Sequence, residues 1–305
     1  MTDKSISLVN LTRLTGHNTA IYSLSSGLRP DTVLSAGGDG MIVEWDLLAP
    51  ENGKLLARAE TRLFSLLPCA DLQLLVAGDM DGGVHWIDLA DPTRTTGIAH
   101  HRKGVFDILR IGDDIFTAGG DGKISRWSAT SRRSSESLAL SANGLRCLAY
   151  QPHRNEIAVG ASDNNIYLLD ANSLEFRHMI SPAHESSVFT VCYSADGRYL
   201  FSGGRDALLR VWDLADNYKL ISSQPAHWYT INHIALHPSG RWLATASRDK
   251  TVKIWDAHSF ELVKVLETIR DRGHVNSVNK VWWRPDGKQL VSAGDDRSMI
   301  IWEVV

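Results

Sequence analysis

Residues 35–46 read SAGGDGMIVEWD, and the same phrase returns along the chain. Small residues form a turn, an Asp closes it, and a β-branched run follows that ends in an aromatic and an acid. Further copies read TAGGDGKISRWS at 117–128, SGGRDALLRVWD at 202–213, TASRDKTVKIWD at 245–256 and SAGDDRSMIIWE at 292–303. Two weaker ones are AGDMDGGVHWID at 77–88 and VGASDNNIYLLD at 159–170. The turn aspartates Asp39, Asp81, Asp121, Asp163, Asp206, Asp249 and Asp296 are separated by 42, 40, 42, 43, 43 and 47 residues. A period of about 40–45 residues carrying short strands is the signature of four-stranded sheets repeated around an axis.

Within each copy the pattern is β. MIVEW, LLRVW and TVKIW are rich in Val, Ile and Trp and are bounded by Gly and Asp turns. Ala195-Asp196-Gly197, Pro238-Ser239-Gly240 and Pro285-Asp286-Gly287 are turn signals linking the first two strands of their copies. No segment sustains a 3.6-residue apolar period. The expected fold is all-β: a seven-bladed β-propeller with four-stranded antiparallel blades, one domain over residues 1–305. The last copy reaches Val305 just after its third strand, and the N-terminal piece Ser5–Leu14 has no blade of its own. Pairing of this N-terminal strand with the last blade covers an exposed edge and closes the ring.

Of the 305 residues, 43% are apolar and 22% charged, a composition that buries a core. A formal net charge of −3 does not mark the whole surface as a polyanion binder. Cys69, Cys147 and Cys192 have neither a zinc-site spacing nor the even count of a disulfide framework, so reduced thiols in a reducing compartment are expected. The first residues lack the apolar run of a signal peptide. No stretch approaches the ~18 apolar residues of a membrane span. The expectation is a cytoplasmic protein with no membrane association, monomeric by itself.

Gly16-His17 and Gly273-His274, with Trp45-Asp46, Trp212-Asp213 and Trp255-Asp256, fall at matching places in their copies. With seven copies in register, nearly the whole chain resembles the WD-repeat (WD-40) β-propeller family. That resemblance implies a four-residue network of His, Ser or Thr, turn Asp and Trp, which the sequence supplies five times. The sets are His17, Ser35, Asp39, Trp45; His101, Thr117, Asp121, Trp127; and His184, Ser202, Asp206, Trp212. The others are His227, Thr245, Asp249, Trp255 and His274, Ser292, Asp296, Trp302. Five equivalent copies of a Ser-His-Asp grouping point to structure, because catalysis needs one site. In blades two and four the matching positions are Ala59, Ala77, Asp81, Ile87 and Ser141, Val159, Asp163, Leu169. Those blades are expected to rest on packing alone and to open first.

With no blade chemically distinct, function is assigned to a surface. The resemblance implies that the top face around the central channel is the recognition surface. The residue five after each network His, or its equivalent, lines the channel mouth: Tyr22, Phe64, Phe106, Arg146, Phe189, Asn232 and Asn279. Residues just before the turn Asp add Met80, Arg205, Arg248 and Asp295, and Arg62 joins from blade two. Aromatics and Arg are the residues enriched at protein-binding hot spots. Trp228 and Tyr229, and Arg270 and Arg272 in the extended loop near Glu267–Gly273, extend the surface. The alternative for the aromatics is that they fill the channel wall as core. Arg132 and Arg133, in SATSRRSSES, are read as part of a solvated loop, and Trp242, Trp282 and Trp283 as core.

The expected function is a non-catalytic scaffold that binds other proteins through a peptide or loop, acidic with an apolar anchor, without cofactor or metal and with nucleic acid disfavoured. The alternatives are a hydrolase-like propeller enzyme using the channel, or a reader of nucleic acid or a charged ligand. Against the enzyme, the mouth offers one acid, Asp295, and the histidines outside the network (His85, His100, His153, His178, His233, His237, His258) share no repeat position.

Overall fold

The computed structural model describes residues 6–51 and 53–305. The chain forms two compact units, residues 22–191 and the residues up to 21 together with 192–305. The first carries four antiparallel sheets, each ordered as in the sequence. They are β2 (Ile21–Ser26), β3 (Thr32–Gly37), β4 (Met41–Asp46), β5 (Gly53–Arg58); then β6 (Leu63–Cys69), β7 (Leu74–Asp79), β8 (Gly83–Asp88), β9 (Thr96–Ala99). The third is β10 (Val105–Ile111), β11 (Asp114–Gly119), β12 (Lys123–Ser128), β13 (Arg133–Ala139), and the fourth β14 (Leu145–Gln151), β15 (Glu156–Ala161), β16 (Ile166–Asp170), β17 (Phe176–Ile180).

The other unit carries three. They are β18 (Val188–Tyr193), β19 (Tyr199–Gly204), β20 (Leu208–Asp213), β21 (Lys219–Pro225) and β22 (Ile231–Leu236), β23 (Trp242–Ser247), β24 (Val252–Asp256), β25 (Leu262–Leu266). The last is β26 (Val278–Trp283), β27 (Gln289–Gly294), β28 (Ser298–Val304), completed by β1 (Leu8–Thr15) in the order β1-β28-β27-β26. The fold is the seven-bladed β-propeller expected, with four-stranded antiparallel blades.

The Asp turns set the register. Asp39, Asp121, Asp163, Asp206, Asp249 and Asp296 each accept the amide two residues on, at 3.0–3.3 Å. This is the Asx turn that the residue type favours. The next residue is left-handed at Gly40, Gly122, Asn164, Ala207, Lys250 and Arg297. At Gly40 a Cβ would sit 2.2 Å from Ala59 O, so only glycine fits. Blade two is shifted: Asp79, not Asp81, accepts from Gly83 N at 2.8 Å.

Second strands such as β3, β7, β15, β23 and β27 are buried at every residue, because both sheet faces are covered. In the first unit Leu34, Ala36 and Ile42 pack with Leu63, Leu66 and Leu75, and Trp86 with Val105, Ile115 and Trp127. In the other, Phe201 and Val211 pack with Ile231, Leu243 and Trp255. Trp242 and Trp283 are buried core and Trp282 is partly exposed.

The N-terminal strand closes the last sheet as expected. Leu8 pairs with Val304 and Thr15 with Ser298 in an antiparallel ladder. Met1–Ser5 lie outside the described residues, so the expectation is supported from Ile6 onward. The solvated-loop expectation at SATSRRSSES is corrected. Arg132 Nη2 donates to Asp88 Oδ2 at 2.6 Å and Nη1 to Arg94 O at 2.8 Å. The Arg132 hydrogen bond, more than any other contact, holds the Asp88 carboxyl down at about 2. Arg133 opens β13 and is exposed.

Candidate interaction surface

Three of the polar networks share one geometry. His101 Nδ1 lies 3.0 Å from Asp121 Oδ1 and Nε2 2.9 Å from Thr117 Oγ1, which accepts from Trp127 Nε1 at 3.1 Å. For His227, Asp249, Thr245 and Trp255 the same distances are 2.8, 2.7 and 3.0 Å. For His274, Asp296, Ser292 and Trp302 they are 2.9, 2.8 and 2.8 Å. In the sets of His17 and His184, Trp45 and Trp212 donate to Ser35 and Ser202, each at 2.8 Å. The indole N–H occupies the hydroxyl oxygen, so its proton is free for His Nε2, and the Nδ1 proton goes to the aspartate.

Burial pushes the His101 and His227 imidazoles below their ordinary range and outweighs the neighbouring carboxylates. Burial opposes ionisation of Asp249 and Asp296, but hydrogen bonds from His227 and His274 hold both carboxyls far below the usual range. The hydroxyls of Ser35, Thr117, Ser202, Thr245 and Ser292 belong to residues 0% exposed. No substrate carbonyl reaches such an oxygen, so these groupings are struts rather than nucleophiles.

Blades two and four do not rest on packing alone. In blade two His85 Nε2 lies 2.7 Å from Asp79 Oδ2, and Thr61 Oγ1 donates to Asp81 Oδ2 at 2.9 Å. In blade four Ser141 Oγ and Tyr167 OH both donate to Asp163 Oδ2 at 2.5 Å. In blade four Ser141 stands where other blades have the network histidine and donates in its place, while His85 and Tyr167 reach their carboxylates from β8 and β16. His85 carried one sequence signal, an Asp six residues before it in the same copy; Tyr167 carried none.

Trp86 is fully buried, yet its indole N–H has no partner among the described residues. A buried unpaired donor costs about 1–3 kcal/mol. Trp86→Phe removes that cost and offsets the lost ring volume, so the urea midpoint should change by less than about 1 kcal/mol equivalent. Trp127→Phe, which takes from Thr117 Oγ1 the N–H it accepts, should lose about 2–3 kcal/mol. Equal losses in the two variants would refute the assignment.

The mouth residues of the first unit form one row. Tyr22 meets Phe64 edge-on at 5.1 Å, and Phe64 stacks on Phe106 at 5.4 Å. The Arg146 guanidinium carbon lies 4.1 Å from the Phe106 centroid and 5.2 Å from that of Phe189. All five side chains are partly exposed. Repeat positions five after the His and one before the Asp touch: Arg146 Nε donates to Ser162 Oγ at 2.8 Å, and a Cβ at Gly120 would lie 2.8 Å from the Phe106 ring. Burial lowers the Arg146 pKa from its ordinary value.

The remaining expected residues are placed as follows. Arg62 and Met80 are exposed and joined by a Met80 N to Arg62 O bond of 2.9 Å. In the other unit Asn232 is occupied by Ser277 Oγ and Val278 O, while Asn279 donates to Ile21 O and to Asp295 Oδ1 at 2.7 Å. Arg205 and Arg248 are exposed. Trp228 and Tyr229 are 87% and 61% exposed. Their loop is pinned beside Arg248 by Arg248 N to Thr230 O and Trp228 N to Asp249 Oδ2. Arg270 is ion-paired with Asp271 at 3.1 Å. Arg272 is exposed, and its carbonyl accepts from Asn10 and Arg13 of β1. Among the described residues no group of three His, Cys, Asp or Glu could hold a metal ion.

The family model for the WD domain, G-beta repeat, matches residues 8–46, 176–213, 218–256 and 262–303, just over half of the chain. The chain belongs to this WD40 family. The crystal structure of the WD40 beta propeller domain of Doa1 superposes with a TM-score of 0.85 at 17% identity, covering 98% of this chain and 97% of that one. Among curated relatives, F-box/WD-40 repeat-containing protein At5g21040 of Arabidopsis thaliana is 25% identical, over 66% of this chain and 39% of its own length. Transcription factor unc-37 of Caenorhabditis elegans is 23% identical, over 60% and 30%. Transducin-like enhancer protein 2 of Mus musculus is 26% identical, over 63% and 25%. The matches thus span two fifths or less of these relatives.

Proposed function

We propose that the chain is a non-catalytic platform that binds other proteins through a peptide or loop on the face carrying the Asp turns. The observation that supports this most is the continuous, partly exposed row Tyr22–Phe64–Phe106–Arg146–Phe189. Aromatic rings and a planar guanidinium supply large contact area with little rotamer freedom to lose. Stacking leaves the guanidinium edge of Arg146 for a carboxylate. The reading takes residues 1–305 as one domain, acting as a monomer in a reducing, cytoplasmic setting; the free thiols Cys69, Cys147 and Cys192 suit that setting. Affinity capture from native lysate with the Phe106→Ala, Arg248→Ala double variant tests it. The partner band of the wild type should fall at least about tenfold, with an unchanged thermal melt. Capture at the wild-type level rejects the surface.

A further inference from the structure

In the first unit an open groove of about 540 Å³ runs along the outer strands β13 and β17, away from the aromatic row. Its floor is fixed by the core: Leu138, Leu140, Tyr167 and Leu174 belong to the apolar cluster shared by the third and fourth sheets. Above that floor Phe176 and Met179 hold apolar surface in water, 57% and 37% exposed. Surface of this kind, continuous and rimmed by polar groups, marks an interaction site.

Glu136 and Glu175 stand on the rim. The Glu136 carboxylate is 4.0 Å from Arg126 Nη1, but Asp114 lies 3.9 Å from Nε of the same guanidinium. Arg126 Nη2 is committed to Ala171 O and Asn172 O. One cation therefore faces two carboxylates, and Glu175 adds a third, so the rim is net acidic. β13 and β17 are the outer strands of their sheets, hydrogen-bonded on one side. Each presents backbone N–H and C=O groups to an added strand.

We propose that this groove binds an extended segment of a partner protein in which large apolar side chains alternate with lysine or arginine. In an extended chain successive side chains point to opposite sides. Apolar groups then enter between Leu140 and Met179 while cations meet Glu136 and Glu175. The segment's backbone pairs with the outer edge of β17. Acidic segments and nucleic acid are turned away by the rim charge.

A dye-labelled, capped octapeptide of alternating Lys and Leu is the probe, titrated into the full chain and read by fluorescence anisotropy. Saturable binding is expected. It should weaken at least about tenfold, roughly 1.4 kcal/mol, in the Glu136→Lys, Glu175→Lys variant and in Met179→Asp, both with wild-type melts. The Phe106→Ala, Arg248→Ala variant should bind it normally, which separates this groove from the face proposed above. The octapeptide with Glu in place of Lys should not bind. Absence of binding to the wild type, equal binding by the charge-reversed variant, or equal affinity for the Glu peptide overturns the proposal. So does self-association of the chain through this groove with no peptide uptake.

Discussion

Removal of residues 1–13 should lower the melting temperature by about 10 °C or more. Ile6 and Leu8 are buried in the core of the last sheets, and losing each costs about 2–3 kcal/mol. In a domain of this size 1 kcal/mol shifts the midpoint by about 2 °C. Deletion also strips the ladder from β28 and removes Arg13, whose guanidinium donates to Ser298 Oγ and to Gly273 O, both at 2.7 Å. The bared edge invites pairing with a second chain, so aggregation at the new midpoint is expected as well. Scanning calorimetry measures the shift, and a midpoint within about 2 °C of wild type would overturn the closure argument.

Thr245→Val should cost about 3 kcal/mol. The substitution keeps the shape but removes the oxygen that serves Trp255 Nε1 and His227 Nε2. Both groups remain buried without a partner, at about 1–3 kcal/mol each. The double variant Thr245→Val, Trp255→Phe should recover part of the loss, as coupled neighbours do. Urea unfolding reads both; a single-variant loss under about 1 kcal/mol would mean that the network carries no weight.

The same burial makes the wild type acid-sensitive. With the His227 and His101 pKa values lowered in the fold, the unfolded chain takes up protons first as pH drops below about 6.5. Stability therefore falls as pH drops from about 6.5 toward 5, and the depressed carboxyls of Asp249 and Asp296 extend the loss below about 4.

The repeat was legible because each turn asks for the same chemistry. A carboxylate two residues before a β-run captures the local amide, and six of the seven aspartates do so where the period puts them. Asp81 misleads because Asp79, two residues earlier in the same Asp-Met-Asp turn, takes that amide. The struts of blades two and four escaped for a different reason. His85 and Tyr167 reach the turn carboxylate from the third strand of their sheets, a relation set by the strand ladder rather than by the His-to-Trp spacing. Repeat positions named Tyr22, Phe64, Phe106, Arg146 and Phe189, but their stacking depends on how far apart neighbouring sheets hold them. Glu136 and Glu175 fall in ordinary polar segments, and only the packing of two outer strands makes them the rim of a groove.

The last sheet draws on both regions of the chain, with Arg13 and Asp296 in contact across 283 positions. During synthesis β1 leaves the ribosome before the other strands and finds its partner after them. The sheets between can pair strand by strand as they emerge, since their contacts are local. β1 must wait, unpaired, until β28 has been made. Loop closure over such a distance adds only a few kcal/mol of entropy, but contacts so remote slow folding. A nascent chain therefore carries β1, with Leu8 and Leu14 bare, in the open until β28 is made, and this is the interval in which a chaperone has something to hold.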